Sequence, residues 1–151
     1  GSRFVRKNGY IIICKYTGHR LNWQDHAKWR EIEDLPEYIY KREYSSEERK
    51  EHEGAAAKWD RMALNAPTQG TGIAILKLSM TLFFKWLVKE GYFGQVLLCN
   101  LVHDEAVIEY PESLKDIVVP KLKHYMEKGA SVFCKKLPIP CVPETGDHWI
   151  H

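Results

Sequence analysis

The triplet His103-Asp104-Glu105 stands between two apolar runs, Gln95 to Val102 and Ala106 to Tyr110. Because apolar strands rarely hold three ionisable residues in a row, we predict two strands with the triplet at the turn between them. A carboxylate held rigidly at a hairpin tip can bind a hard cation through oxygen, as Mg²⁺ prefers. A solvated turn without a bound ion has the same composition, and the triplet by itself favours that simpler interpretation.

A second candidate site consists of Arg61, Asn65 and Gln69, which are spaced four residues apart. On a continuous helix this spacing puts all three side chains on one face. Arginine can pair with a phosphate, while asparagine and glutamine can donate to and accept from base edges or sugars. Pro67 falls inside the stretch and works against the alignment, and for any one of these residues an exposed polar stripe is the better interpretation.

Other kinds of site are not indicated. The seven histidines and four cysteines are scattered without a CxxC pair or finger-like spacing, which argues against zinc. Neither a GxSxG motif nor a phosphate-cradling glycine loop is present, which argues against a serine hydrolase and a P-loop enzyme. The cysteine pattern favours reduced thiols, so we expect a cytoplasmic location.

The composition is that of a folded domain with enough apolar residues to bury a core. The chain has 151 residues, of which 44% are hydrophobic and 28% charged, with a net charge of +2. Arg3 to Arg20 contains five basic side chains and no acidic one, which forms a local positive patch. Lys77 and Lys85 interrupt the longest apolar stretch, so a membrane span is not expected. Gly1-Ser2 is typical of a cleaved expression tag.

The elements that must position these residues begin with a strand over Tyr10 to Tyr16, a turn at Gly18 and a short return strand ending at Trp23. Gln24 to Tyr44 is ambiguous, and we expect a loop with helical turns. Ser45 and the acids after it predict a helix start, with the helix running to about Asn65 and a break or kink near Pro67.

The second half of the sequence predicts helices and strands in mixed order. Its helix from Thr68 to about Glu90 is apolar almost all round and should be the buried central helix. The hairpin with the acidic turn follows, then an amphipathic helix over Pro111 to Lys128 and a last strand over Ile139 to Pro143. This order predicts an α+β fold, with helices packed on an antiparallel sheet.

Several stretches together resemble one known family. Arg61 to Thr71 (RMALNAPTQGT) resembles the R-x-A-x-N-x-P-x-Q-G-T signature of family A DNA polymerases, the DNA polymerase I-like enzymes. Val102 to Glu105 (VHDE) resembles motif C of that family, and the ending from Gly146 (GDHWIH) resembles its G-x-x-W carboxyl terminus, with a closing histidine like that of phage-type members. Gly9 to Trp23 loosely resembles the hairpin at the end of the fingers.

The resemblance implies a carboxy-terminal palm and fingers fragment of a right-hand polymerase with a palm-like antiparallel sheet. Residues 1–2 would be the tag remnant, 3–60 a hairpin, loop and helix derived from the fingers, and 61–151 the palm portion with motif C. The partners would be a DNA primer–template, deoxynucleoside triphosphates and the remainder of the polymerase chain upstream, without a membrane. A phage source would place the protein in the host cytoplasm.

The resemblance also implies a role for each candidate residue. Asp104 would be one of two palm aspartates that hold the two catalytic Mg²⁺ ions, and Glu105 would lie near the metals and the primer terminus. His103 would contact the primer strand. The remaining residues would contact template and primer, partly through the minor groove: Arg61, Asn65 and Gln69.

Departures from the family pattern limit what this chain would do. The family has an acid shortly after Q-G-T, where this sequence has Gly72 to Ile75, and His19-Arg20 replaces a pair of arginines. Motif A, with the other aspartate, and the nucleotide-binding fingers helix are absent from the 151 residues. We therefore predict that the chain does not polymerise DNA alone. The alternative is a non-catalytic nucleic-acid-binding module with a polymerase-like lobe.

Overall fold

The structure, a computed structural model, describes residues 2–149. Its elements, in chain order, are α1 (Ser2–Asn8), β1 (Tyr10–Cys14), β2 (His19–Asn22), α2 (His26–Glu33), α3 (Glu37–Glu43), α4 (Ser46–Lys89), β3 (Leu97–Val102), β4 (Glu105–Glu109), a 3₁₀ turn (Glu112–Leu114) and α5 (Lys115–Phe133). The chain divides into two compact units, and the boundary between them lies at Gly70 and Thr71. The assignment of residues 3–60 to fingers and 61–151 to palm stays a prediction.

The first unit contains the predicted N-terminal hairpin. β1 and β2 pair antiparallel, with Ile11 opposite Leu21 and Ile12 opposite Arg20. Successive side chains on a strand point to opposite faces. Accordingly, Ile11 is buried in a cluster with Val5 of α1 and Ala63 of α4, while Ile12 remains exposed. The hairpin is therefore fixed to the helices by one apolar face.

The ambiguous stretch after this hairpin forms two short helices, α2 and α3, rather than a loop with isolated helical turns. Tryptophans hold α2 in place. The Trp23 ring stacks on the Trp59 ring of α4 at 5.2 Å between centroids and lies 4.8 Å from the ring of Trp29 on α2. Trp23 and Trp29 are both buried. Aromatic burial therefore holds α2 against α4, whereas α3 has no buried residue.

Helix α4 starts where the sequence predicted a helix start, at a reciprocal cap. The Glu48 backbone N–H donates to Ser45 Oγ at 3.2 Å, and the Ser45 N–H donates to the Glu48 carboxylate at 2.8 Å. Of the predicted break or kink at Pro67, the break was wrong, because α4 is a single helix of 44 residues that contains the proline. Ala63 and Ala66, which directly precede the proline on α4, pack into the first unit's core. That packing offsets the hydrogen bond which a proline removes.

The second half of α4 carries the core of the second unit. The buried side of the helix presents Leu76, Met80, Phe83 and Leu87, which cluster with Val118 of α5. The opposite side is exposed at Phe84 and Val88, so this helix is central to the unit's core but buried on one side only. An 18-residue window of α4 has a mean hydropathy of 1.5, enough by length and composition to cross a membrane, but core helices commonly meet the same criterion.

The rest of the second unit is the β3–β4 hairpin and α5. Helix α5 begins after the 3₁₀ turn and ends at Phe133, five residues beyond the predicted end. Residues 139–143 form no strand, contrary to prediction, and the closing Ile150-His151 lies outside the described residues. Residues 2–149 thus form a mixed α and β fold with a long helix, as predicted, although its antiparallel sheet is two separate two-stranded sheets.

Candidate functional site

The acidic triplet lies at the tip of the β3–β4 hairpin. Val102 pairs with Glu105, which leaves His103 and Asp104 as a two-residue loop. His103 has a φ of 53°, the only positive φ of a non-glycine residue within 2–149. Histidine is among the residues enriched in this conformation, and a positive φ at the first loop position suits a tight hairpin. All three side chains of the triplet are exposed.

One strand of this hairpin, β4, packs against the core of the second unit, while β3 is largely exposed. Ala106 and Ile108 of β4 pack against the cluster formed by the second half of α4 and by α5. The β3–β4 pairing has one irregularity, between Leu98 and Asn100. Backbone pairing between β3 and β4, together with the core contacts of β4, fixes where Asp104 lies in the second unit.

Asp104 and Glu105 have the donor chemistry that a hard divalent cation requires, because both offer carboxylate oxygens to solvent. They do not make a complete site. Among residues 2–149, no group of three or more His, Cys, Asp or Glu side chains is placed to hold a metal ion. The tip therefore fits part of a Mg²⁺ site and would need further ligands.

The second candidate set lies on α4 in the first unit. Because α4 is continuous through Pro67, Arg61, Asn65 and Gln69 lie on one face of one helix, and all three are exposed. The structure thus brings these three together on one surface, as it does the acidic triplet at its hairpin tip. The two sets belong to different compact units.

Asp60, the acid next to Arg61 in the sequence, is engaged by a contact that the sequence did not predict. The neighbouring Asp60 is bound by Arg6 of α1, with Nε–Oδ1 at 3.1 Å and a second nitrogen–oxygen contact at 2.5 Å. Hydrogen bonding from Arg6 lowers the pKa of the Asp60 carboxyl below its ordinary value. Within the described residues, Arg61 forms no salt bridge of its own. It is therefore available to an external anion such as a phosphate.

Gly70, in the middle of the Q-G-T sequence, is a packing residue. A Cβ at this position would lie 2.2 Å from the carbonyl oxygen of Ile13 on β1, well inside van der Waals contact. Only glycine lets the two backbones approach this closely. The glycine was part of the predicted signature, but its structural reason becomes visible only once β1 lies against α4.

Comparison with known proteins identifies the family. The model of DNA polymerase family A matches residues 24–151. The chain is 34% identical to DNA polymerase I of Aquifex aeolicus over 87 residues, which are 58% of this chain and 15% of that protein. It is 37% identical over 87 residues to DNA polymerase I of Pseudomonas aeruginosa, covering 58% of this chain and 9% of that protein.

A viral protein is also similar. The DNA polymerase of Bacillus phage SP01 is 37% identical over 68 residues, which are 45% of this chain and 7% of the phage protein. No solved structure matches the chain. The chain thus spans less than a sixth of the length of these three relatives. The family match nevertheless covers most of the 151 residues, and the chain belongs to DNA polymerase family A.

Proposed function

We propose that this chain is part of a DNA-directed DNA polymerase that acts in DNA replication, and that it supplies motif C and primer–template contacts. The family match over residues 24–151 is the observation that carries the proposal. The exposed carboxylates at the anchored β3–β4 tip support it, since a nucleotidyl transferase needs carboxylates at a fixed position. The chain would work in the cytoplasm, or in the host cytoplasm for a phage enzyme.

The hairpin tip would form part of the catalytic centre. Asp104 would hold Mg²⁺ through its carboxylate, Glu105 would lie beside the metals and the primer terminus, and His103 would contact the primer strand. When bound, the two metal ions supply charge stabilisation to the attacking and leaving oxygens of the in-line displacement. The β3–β4 ribbon keeps the Asp104 carboxylate in place, so little reorganisation accompanies the reaction.

The α4 face would hold the nucleic acid. Arg61, whose charge is not compensated by Asp60, would pair with a phosphate, as arginine does through its planar donor fork. Asn65 and Gln69, each about one helical turn further along the same face, would reach base edges or sugars in the minor groove. One rigid helix would therefore set the register of the duplex.

The chain alone would not catalyse extension. Two adjacent carboxylates at one tip cannot clamp two metal ions, and residues 2–149 hold no further group placed to complete a metal site. The remaining ligands and the nucleotide-binding helix would come from polymerase sequence outside the 151 residues. Without such a partner segment, the chain would be the alternative already named, a nucleic-acid-binding module.

Primer extension tests the proposal. The natural reading frame that contains these residues is compared with its Asp104→Asn and Asp104→Ala variants, with Mg²⁺ and a primer–template. We expect the wild type to extend the primer and both variants to lose this activity. Circular dichroism should show that both variants remain folded. Asp116→Asn, at an exposed aspartate in the same unit, is the matched control and should extend normally.

Two outcomes would contradict the proposal. Normal extension by Asp104→Ala would exclude the metal role of Asp104. A folded wild-type protein that binds primer–template but does not extend it would favour the binding module.

A further inference from the structure

The tip of the β1–β2 hairpin carries positive charge without any acid. Lys15 to Arg20 reads KYTGHR, and all six residues are exposed. Arg6 belongs to the same basic stretch, but its charge is compensated by Asp60. Lys15 and Arg20 form no salt bridge within residues 2–149. Their charges are therefore available to an anionic partner.

The hairpin also presents aromatic rings beside these cations. Tyr16 is 52% exposed, and the Lys15 ammonium lies 5.0 Å from its ring centroid. The Arg20 guanidinium lies 4.5 Å from the ring centroid of Tyr10. A guanidinium stacked on a ring still directs its N–H groups outward in its own plane, where phosphate oxygens can accept. Interleaved cations and aromatic rings are typical of surfaces that bind single-stranded nucleic acid.

The Ile13–Gly70 contact places this hairpin next to the α4 face. Lys15 is two residues beyond Ile13, which is at most about 7 Å of extended chain. Gln69 directly precedes Gly70 on α4. The basic tip therefore lies close to the Gln69 end of the stripe formed by Arg61, Asn65 and Gln69. A nucleic acid lying on that stripe would meet the hairpin as it continues.

We propose that the β1–β2 hairpin binds single-stranded DNA, the unpaired template next to the primer–template duplex. Lys15 and Arg20 would contact phosphates, and the Tyr16 ring would stack on an unpaired base. An unpaired strand is the partner because its bases have free faces, whereas duplex bases are already stacked on each other. This inference rests on the proposed function, because it assumes that the α4 face holds a primer–template.

Binding to two DNA molecules tests the inference. Fluorescence anisotropy of the 151-residue chain would compare a duplex with a single-stranded 5′ template overhang and the same duplex with blunt ends. Tyr16→Ala should weaken binding to the overhang DNA at least about five-fold, as expected when a base loses its aromatic stacking partner. Tyr16→Phe should bind like the wild type, and neither substitution should change binding to the blunt duplex.

The salt dependence of binding tests the proposed phosphate contacts of Lys15 and Arg20 separately. The double variant Lys15→Ala/Arg20→Ala should lower the slope of log affinity against log salt by about 1.4 for the overhang DNA, since each single-strand phosphate contact contributes about 0.7. Lys50→Ala, at an exposed lysine among the acids at the start of α4, is the control and should leave the slope unchanged. Circular dichroism of each variant would show that the fold is retained.

The outcomes separate this inference from the proposed function. Equal binding of overhang DNA by wild type and both hairpin variants, with weaker binding by Arg61→Ala, would overturn the inference and leave the α4 face intact. Loss with the double variant but not with Tyr16→Ala would indicate general attraction to polyanions and would overturn it too. Primer extension by the natural reading frame tests the polymerase assignment independently of overhang affinity.

Discussion

The backbone of Ile13 on β1 touches α4 at Gly70 so closely that a methyl group on Gly70 would lie 2.2 Å from the Ile13 carbonyl oxygen. This contact joins a strand to the middle of a helix that also carries Gln69. Because the obstructing atom belongs to the backbone, it cannot move aside as a flexible side chain would. The position of the hairpin relative to the helix thus depends on the absence of a side chain.

Gly70→Ala is therefore expected to destabilise the protein by about 1–3 kcal/mol through overpacking. Gly72 is two residues further along the same helix, and a Cβ there would have no neighbouring group of residues 2–149 within 4 Å. Gly72→Ala should instead stabilise α4 by up to about 1 kcal/mol through helix propensity. Urea unfolding of both variants measures the two effects. A gain in stability for both would mean that β1 does not lie against Gly70.

The Arg6–Asp60 pair predicts a pH dependence of stability. Hydrogen bonding to Arg6 lowers the pKa of Asp60 in the folded protein, so the ionised carboxyl is favoured by folding. The pair's contribution is therefore complete above the ordinary value of 3.8 and is lost as the pH falls through the lower folded value. Asp60→Asn should cost about 1 kcal/mol at neutral pH, the upper range for a partly exposed pair.

Urea unfolding at neutral pH and near pH 3 tests whether the stabilisation by the Arg6–Asp60 pair decreases in acid. The difference in unfolding free energy between wild type and Asp60→Asn should shrink in acid. Asp34→Asn removes an exposed pair with Arg30 and serves as the control, with a smaller change at both pH values. A difference that grows in acid would contradict the assigned role of Asp60.

Ser79 and Gly129 make a second tight contact, between α4 and α5 in the second unit. Ser79 is fully buried, and its hydroxyl is placed to donate to the carbonyl oxygens of Ile75 at 2.9 Å and Met126 at 3.3 Å. A Cβ on Gly129 would lie 2.1 Å from the Ser79 oxygen. We expect Gly129→Ala to cost about 1–3 kcal/mol, because the hydroxyl must leave its position.

A double-mutant cycle tests this contact. Ser79→Ala alone should cost about 1 kcal/mol through its lost hydrogen bond. In the Ser79→Ala background, Gly129→Ala should cost less than in the wild type, because the obstructing oxygen is gone. Urea unfolding of the four proteins gives the coupling free energy. Strict additivity would show that the two helices do not meet at these residues.

Local signals in the sequence predicted the elements whose stability is local. The cap between Ser45 and Glu48 marked the start of α4, and short apolar runs beside polar turns marked both hairpins. Predictions were wrong where long-range packing decides. Pro67 is a local helix breaker, but α4 is continuous through it, and Ala63 and Ala66 just before it pack into the core. Stacking of Trp23, Trp29 and Trp59 likewise orders a stretch without a clear periodic pattern.

In the candidate site, too, local features could be predicted from the sequence and long-range contacts could not. The triplet at 103–105 and the four-residue spacing of Arg61, Asn65 and Gln69 are visible in the sequence because neighbours along the chain form them. The pairing of Arg6 with Asp60 joins residues that are 54 positions apart, and no local pattern predicts it. That long-range pair leaves Arg61 without its nearest acid.

Arg61 should therefore contribute to DNA binding through its charge and through the planar fork of its guanidinium group. We expect Arg61→Ala to weaken binding of the 151-residue chain to a blunt DNA duplex and to reduce the slope of log affinity against log salt by about 0.9, the value for one duplex phosphate contact. Arg61→Lys should restore the slope but not the full affinity, since an ammonium lacks the bidentate fork.

Arg42→Ala is the matched control because Glu43 already compensates its charge. Anisotropy titrations over a range of salt concentrations measure all four proteins. An unchanged slope for Arg61→Ala would mean that the α4 face does not hold the phosphate backbone.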